Sequence, residues 1–385
     1  MHNVRAKYAS ADGKHARMAA GRVDGGFRYA YADDLIEFGF YDIGHKFMTR
    51  KQIDCTQRND RVYEPSRREF VSSCVVAGTA AALCSADASA QDESAIPIID
   101  SHIHFFDPNR PQGAPYTGPP GVPTEPSFPP RYRKLAVPLG VVGAIKVEAS
   151  PWVEDNLWAL QVCQTDEMIV GVVGNLQPEK PEFVEYLDRF AKDPLFRGIR
   201  YGNLWGYDLS QQLDNPTFVS GLKRLADADL VLDSANPNIK FLQAIVRTTD
   251  LVPDLRIVVD HLPNLEPTQQ TLAEYNQLLD EIRDRPNVFV KLSSVIHPVN
   301  GKISKELSPY ENRLDTLMQV FGEDRVIFGS DWPNSDGVAS IDEVFGVVKQ
   351  YFAKKPRSVA EKYFWKNSIR AYKWTKRTPN QPSIS

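Results

Sequence analysis

The chain has 385 residues, with 45 basic and 49 acidic side chains, a formal net charge of −4, 42% hydrophobic residues and 24% charged residues. That balance belongs to a globular chain and excludes a disordered, collagen-like or coiled-coil protein. No apolar run reaches the roughly 18 residues of a spanning helix, so no stable membrane anchor is expected, and the weak net charge with no basic stripe gives no footprint for nucleic acid.

Residues 1–64 carry 11 Lys/Arg and 9 Asp/Glu, a net +2. They show no sustained hydrophobic period of 3.6 or 2 and read as an unstructured extension or an over-long gene call, with translation beginning at Met48 as one alternative. Residues 65–90 are neutral in sum. Ser66-Arg67-Arg68-Glu69-Phe70-Val71 opens a short apolar run over 70–84, and Ala88-Ser89-Ala90 precedes Gln91. This order resembles a twin-arginine export signal with an Ala-x-Ala cleavage site. It implies the twin-arginine export machinery as a partner and a periplasmic or secreted location. The alternative is a buried Ala-rich helix of a small domain. Residues 91–385 carry the remaining −6 and one of the four cysteines, Cys163, so no disulfide forms within them.

Short apolar runs and helical patterns alternate along 91–385. Strands are expected at 96–102, 144–148, 168–174, 197–201, 230–233, 256–261, 287–292 and 325–331. A Pro-rich loop is expected over 108–138, with helices near 154–165, 180–192, 216–227, 238–249, 268–284, 308–321 and 340–353. Eight such alternations predict a single α/β catalytic domain, a (β/α)8 TIM barrel. An open doubly wound sheet is the alternative, and it lacks a Gly-rich phosphate loop after the first strand.

In a barrel the chemistry sits at the carboxyl ends of the strands. His102 and His104 end strand one at i, i+2 and project from one side of an extended segment, so they can converge on one metal ion or one water. His261 ends strand six and Asp331 ends strand eight. Arg200 and Lys146 are candidates to hold substrate hydroxyls or a carboxylate. Trp152, Tyr201 and Trp205 follow strand ends as candidate lid residues, and Asn236 and His297 are further substrate-binding candidates. A surface ion pair for Arg200 and an interior pair of Lys146 with Glu148 are the structural alternatives.

Ile99-Asp100-Ser101-His102-Ile103-His104-Phe105-Phe106-Asp107-Pro108, Val259-Asp260-His261-Leu262 and Phe328-Gly329-Ser330-Asp331-Trp332-Pro333 together resemble the amidohydrolase superfamily. More narrowly they resemble its amidohydrolase-related branch of sugar lactonases and 2-pyrone-4,6-dicarboxylate lactonase, over roughly 96–375. The resemblance implies a (β/α)8 barrel and hydrolysis of a lactone, a small-molecule substrate. The wider superfamily has a metal-binding His on strand five and a bridging Lys on strand four. Here those strands read Leu230-Val231-Leu232-Asp233 and Arg197-Gly198-Ile199-Arg200-Tyr201, so a two-metal centre is not expected. The resemblance leaves one divalent ion, zinc, held by His102, His104 and Asp331, or a metal-free site. Asp331 is then the expected general base, with His261 as its catalytic partner and the histidines or the ion as electrophile. A metal-dependent decarboxylase of an aromatic or unsaturated acid and a non-catalytic periplasmic binder on a degenerate barrel are the alternatives.

Overall fold

The computed structural model describes residues 5–9, 15–23, 26–31, 34–37, 95–122 and 124–384. The chain divides into two units, Met1–Cys84 and Ser85–Ser385. In the first, strands Arg5–Ala9, His15–Val23, Gly26–Tyr31 and Asp34–Glu37 pair antiparallel in chain order. They lie within the stretch expected to be an extension or an over-long gene call. The expected export segment, 65–90, lies outside the described residues.

The second unit is the barrel. Its strands are β1 (Ile98–Ile103), β2 (Val141–Val147), β3 (Ile169–Gly174), β4 (Phe196–Arg200), β5 (Val231–Ser234), β6 (Arg256–Val259), β7 (Val288–Lys291) and β8 (Val326–Ile327). All neighbours pair parallel in chain order. The circle closes between β8 and β1. Ser101 N–H donates to Phe328 O at 3.1 Å, Asp331 N–H to His102 O at 2.8 Å and His104 N–H to Trp332 O at 2.8 Å. Each crossover carries a helix: α1 (Pro129–Ala136), α2 (Asp155–Gln164), α3 (Phe183–Phe190), α4 (Pro216–Asp227), α5 (Ile239–Leu251), α6 (Leu272–Arg283), α7 (Glu311–Phe321) and, after β8, α8 (Ile341–Phe352).

Two expectations are corrected. α1 lies inside the stretch 108–138 expected to be loop, because Pro129 and Pro130 sit in its first turn, where a missing N–H leaves nothing unpaired. The strand expected at 325–331 is only Val326–Ile327. Beyond it Gly329 packs so closely on β1 that an added Cβ would stand 2.7 Å from the His102 Cβ, and Asp331 then turns left-handed at φ 61°.

Alternation along the strands sets what the barrel encloses. Ile99, Ile145, Val147, Val170, Val173, Val231, Val258, Phe289 and Ile327 form one buried cluster, which Trp365, Tyr372 and Trp374 from the chain's end also join. Each buried side chain of this size contributes about 1.5–3 kcal/mol. On β5, β6 and β7 the residues two positions on from Val231, Val258 and Phe289 are Asp233, Asp260 and Lys291, so the same face that begins as hydrocarbon continues as charge. The last helix, α9 (Asn367–Tyr372), brings in Tyr372, whose hydroxyl donates to the Asp233 carboxylate at 2.9 Å.

Candidate active site

The charged layer is the foundation of the site. Lys291 has no exposed side-chain surface, and its Nζ lies 2.6 Å from Asp233 Oδ2, 3.0 Å from Asp260 Oδ1 and 3.2 Å from His102 Nδ1. Arg200 ends β4 with Nε 3.2 Å from Asp260 Oδ2 and Nη1 3.7 Å from Glu148 Oε1. Burial alone would raise the Asp260 pKa, but the charges of Lys291, His102 and Arg200 outweigh it and hold that carboxyl well below its ordinary range. Asp233 faces Lys291 without the arginine, and burial pushes its pKa up to about 6.

Another buried aspartate, Asp100, pins the backbone beneath the site. Asp100 accepts from the backbone N–H groups of His102 at 3.1 Å and Ser330 at 2.9 Å, and from the Tyr132 hydroxyl at 2.6 Å. One side chain thus ties together the ends of β1 and the β8 loop, which carry His102, His104 and Asp331.

Above this layer four polar groups converge. His104 Nε2 lies 3.2 Å from both His102 Nε2 and Asp331 Oδ1. His102 Nε2 lies 3.6 Å and His261 Nε2 3.9 Å from the same Asp331 oxygen. Hydrogen-bond partners fix which nitrogens carry protons. His104 Nδ1 faces the carbonyls of Val147 at 3.2 Å and Glu148 at 3.1 Å, which only accept, so that nitrogen donates and Nε2 presents its lone pair. His261 Nδ1 lies 2.8 Å from Ser293 Oγ and 3.0 Å from Ser294 Oγ. The Ser294 hydroxyl donates to Asp331 Oδ2 at 3.1 Å, so it accepts from His261 and the His261 Nε2 is also free. Burial lowers the pKa of His102 and of His261, which favours neutral imidazoles. Burial alone would raise the Asp331 pKa, but the histidines around it, His261 first, outweigh burial and hold it far below the carboxylate range, so Asp331 stays ionised.

The His104 Nε2 lone pair and the Asp331 Oδ1 carboxylate oxygen, 3.2 Å apart, repel unless a cation lies beside them. Ligands about 2.0–2.1 Å from a tetrahedral zinc stand roughly 3.3 Å apart, close to the spacing seen here. Ligand atoms of His102, His261 and Asp331 all lie within 4.8 Å of one another, and His104 touches two of the three. The donor set therefore fits one divalent ion. His102, His104 and Asp331, whose ligand atoms stand 3.2–3.6 Å apart, would hold it with the carbonyls behind His104 orienting that ring, and His261, held by the serines behind it, is left to face a water.

The convergence point opens into a cavity of about 490 Å³ lined by His104, His261, Asp331, Arg200, Glu148, Trp205 and Tyr116, among others. Asn236, Asn238, Asn264 and Asn334 also face it. Trp205 Nε1 donates to the Glu148 carboxylate at 3.1–3.2 Å, and Asn334 Nδ2 donates to Asp331 Oδ2 at 2.9 Å. Left-handed backbone, uncommon for residues other than glycine, recurs around this rim: Trp205, Asn236, His261, Ser294 and Asp331 have φ between 48° and 61°. Strain of this kind is held only where surrounding structure enforces it, and it clusters at functional sites.

Of the residues expected from sequence, His102, His104, His261, Asp331, Arg200, Asn236 and Trp205 come together here. Others do not. Lys146 is corrected: Ile145 and Val147 point into the barrel, so Lys146 points out and is buried near Cys163. Tyr201 is corrected for the same reason. Arg200 points in, and Tyr201 stacks outside on Tyr207 at 5.1 Å and meets a tilted Phe218 ring at 4.9 Å. Trp152 is 39% exposed and does not line the cavity. His297 lines an adjoining cavity, its ring nitrogens facing Val295 O at 2.8 Å and Glu266 at 3.3 Å. The sequence reading missed Lys291, Asp233 and Asp260 as partners, along with Ser293, Ser294 and Tyr116. The charges at alternate positions on inward faces were the available signal.

Comparison with known proteins agrees with this architecture. The profile of the amidohydrolase family matches residues 99–374. An L-fucono-1,5-lactonase from Burkholderia ambifaria is 28% identical over 202 residues, covering 51% of this chain and 66% of that enzyme. An L-fucono-1,5-lactonase from Burkholderia multivorans is 27% identical over 275 residues, covering 69% of this chain and 91% of that enzyme. The crystal structure of a zinc-bound amidohydrolase from Burkholderia multivorans superposes with a TM-score of 0.65 at 25% identity, covering 72% of this chain and all of the other.

Proposed function

The chain belongs to the amidohydrolase family, and on that premise we propose that it is a lactonase that opens a sugar lactone by attack of water at the carbonyl. The observation that carries this reading is the convergence of His104, His261 and ionised Asp331 beside Arg200 in one cavity. The lining argues for a neutral, polyhydroxylated ring over a carboxylated one. Arg200 is the one Lys or Arg among the described residues lining the cavity, and it already faces Asp260 and Glu148. Four asparagines, Tyr116 and Ser294 offer both donors and acceptors, which suits hydroxyl groups.

A divalent ion held by His102, His104 and Asp331 would supply Lewis-acid polarisation of the carbonyl and would acidify water. The chain's own groups divide the remaining work. Asp331 Oδ1 accepts one proton of the attacking water, and His261 Nε2 accepts a hydrogen bond from the other. The low proton affinity of Asp331 is no obstacle, because the water proton becomes strongly acidic as the carbon–oxygen bond forms. Arg200 stabilises the charge developing on the carbonyl oxygen, and one such donor is typically worth about 3–4 kcal/mol. Collapse of the tetrahedral species breaks the ring carbon–oxygen bond, and the leaving alkoxide takes the proton back from Asp331. The product hydroxy acid then releases one proton to the medium.

That proton is the assay. A pH-indicator screen of sugar 1,4- and 1,5-lactones and of 2-pyrone-4,6-dicarboxylate, with and without chelator, is expected to show turnover of sugar lactones. Turnover of the dicarboxylate alone, or of no lactone, overturns the reading. Residues 65–90 are further proposed to direct export of the folded barrel by the twin-arginine route, releasing a chain that begins at Gln91.

A further inference from the structure

Arg200 holds donors that its neighbours leave unused. A guanidinium offers five N–H groups. Among the described residues none of those on Arg200 makes a hydrogen bond: Nε stands 3.2 Å from Asp260 but out of line, and Nη1 stops 3.7 Å short of Glu148 Oε1. Nε is walled in, whereas Nη1 and Nη2 keep accessible surface, and the side chain, only 7% exposed, lines the main cavity. Glu148, its side chain 4% exposed, lines the same cavity. Its Oε2 accepts the Ser150 N–H at 2.9 Å, and the Trp205 indole N–H is shared between Oε1 at 3.2 Å and Oε2 at 3.1 Å. A carboxylate oxygen has room for two donors, so Oε1 keeps an open acceptor site beside the open donors of Arg200. Elsewhere in the barrel a comparably buried pair closes fully, with Arg110 meeting Asp155 at 2.8 and 3.0 Å. Buried polar groups are nearly always partnered, so the gap between Arg200 and Glu148 marks a place for a ligand atom.

We propose that Arg200 and Glu148 form a subsite for a hydroxyl on the carbon next to the lactone carbonyl, with Glu148 the residue that selects it. The inference rests on the lactonase reading and narrows its substrate class to 2-hydroxylated lactones. A hydroxyl is a small neutral group that donates and accepts at once. It gives its proton to Glu148 Oε1 and takes an N–H from Arg200 Nη1. A carboxylate placed there would be repelled by Glu148, and an ammonium by Arg200. The position on the ring follows from the arginine, whose planar fork presents two N–H groups side by side and so suits oxygens on adjacent carbons. With one group on the carbonyl oxygen, the other meets the hydroxyl of the neighbouring carbon. The Trp205 indole holds the Glu148 carboxylate in place before substrate arrives, which spares the cost of ordering it on binding.

The test uses two independent readouts on the full chain. The first compares kcat/KM for the better enantiomer of α-hydroxy-γ-butyrolactone with that for γ-butyrolactone. Each value is divided by the lactone's rate of opening in hydroxide, which removes the intrinsic effect of the hydroxyl. Hydrogen bonds to two charged groups should favour the hydroxylated lactone about tenfold or more in the wild type. In Glu148→Gln the Ser150 and Trp205 N–H groups claim the amide oxygen and turn its NH2 toward Arg200, so the ratio should fall to within about threefold of one. A merely structural role for Glu148 would slow both lactones alike and leave the ratio unchanged. The second readout needs no turnover: affinities of 3-hydroxypyrrolidin-2-one and pyrrolidin-2-one, lactams that resist opening, from ligand-observed saturation-transfer NMR. The hydroxylated lactam should bind the wild type about fivefold or more tightly than the plain one and lose that advantage in Glu148→Gln. Equal normalised rates for the two lactones in the wild type, equal affinities for the two lactams, or an unchanged ratio in folded Glu148→Gln would each overturn the subsite. The wild-type comparisons decide it even where the variant does not fold. If the wild type opens no lactone yet prefers the hydroxylated lactam in this way, the lactonase reading fails and the subsite stands.

Discussion

Replacing Lys291 with Met tests the charged layer that supports the site. The ammonium is fully buried, 2.6 Å from Asp233 and 3.0 Å from Asp260. Methionine fills similar space and removes the charge. Asp260 keeps Arg200 at 3.2 Å, but Asp233 keeps only the neutral Tyr372 hydroxyl at 2.9 Å. Removing one partner of a buried pair costs about 3–5 kcal/mol, because it strands the other charge. For a domain of this size that corresponds to a fall in melting temperature of roughly 5–10 °C. The sign of the pH dependence follows from Asp233. Its folded pKa, about 6, already exceeds the ordinary 3.8 of an aspartate, and losing Lys291 raises it further. The folded state therefore binds the extra proton, so the cost of the substitution is greatest at pH 8 and shrinks as pH falls through 6. Urea unfolding at pH 8 and pH 5, on Lys291→Met and on the double variant with Asp233→Asn, measures this. The double variant should recover most of the loss at pH 8. A Lys291→Met cost below about 1 kcal/mol at pH 8, or one that Asp233→Asn leaves untouched, would refute the reasoning.

Asp331→Asn keeps the side-chain shape but removes both the proton acceptor and a candidate metal ligand. It should lower kcat/KM for lactone opening by about 10³-fold or more with unchanged circular dichroism, and near-native rates would reject its role. Dialysis against a chelator should abolish turnover and zinc should restore it. His102→Ala should lose bound zinc by elemental analysis even where the fold persists. Asp233→Asn alone should flatten the decline in wild-type stability that this carboxylate causes as pH rises from about 4 to 6, a contribution on the order of 3 kcal/mol, read from urea midpoints across that range. Changing both Arg67 and Arg68 to Lys should leave the uncleaved precursor inside the cell, and amino-terminal sequencing of the exported protein should begin at Gln91.

The barrel was legible because its strands are buried on both faces and so read as short continuous apolar runs, as in the all-buried Ile169–Gly174. α1 was hidden because prolines signal loop unless their place in the first turn is known. His102, His104, His261 and Asp331 were legible because polar residues at the ends of parallel strands stand out against hydrocarbon. Lys146 and Tyr201 were misplaced by neglect of strict alternation. Val147 and Arg200 face the interior, so Lys146 before the one and Tyr201 after the other face the helices.

Lys291, Asp233 and Asp260 show where a single sequence stops short. Each sits on its own strand, 27 to 58 residues from the others, and nothing local states that three charges share one layer. Strand register states it. β5, β6 and β7 pair so that Val258 lies beside Asp233 on one side and Phe289 on the other, which carries the next inward residues, Asp260 and Lys291, up one step of the barrel's stagger. Such a charged layer is costly to bury, and hydrocarbon of the same volume would fill the barrel at no loss of stability. Its position directly under His102, with Lys291 at 3.2 Å from the ring, gives the cost a physical purpose. It fixes the imidazole from below while Asp331 meets it from above. The same residues therefore link the barrel's closure, its buried charge and the candidate chemistry, and a substitution at Lys291 should disturb all three together.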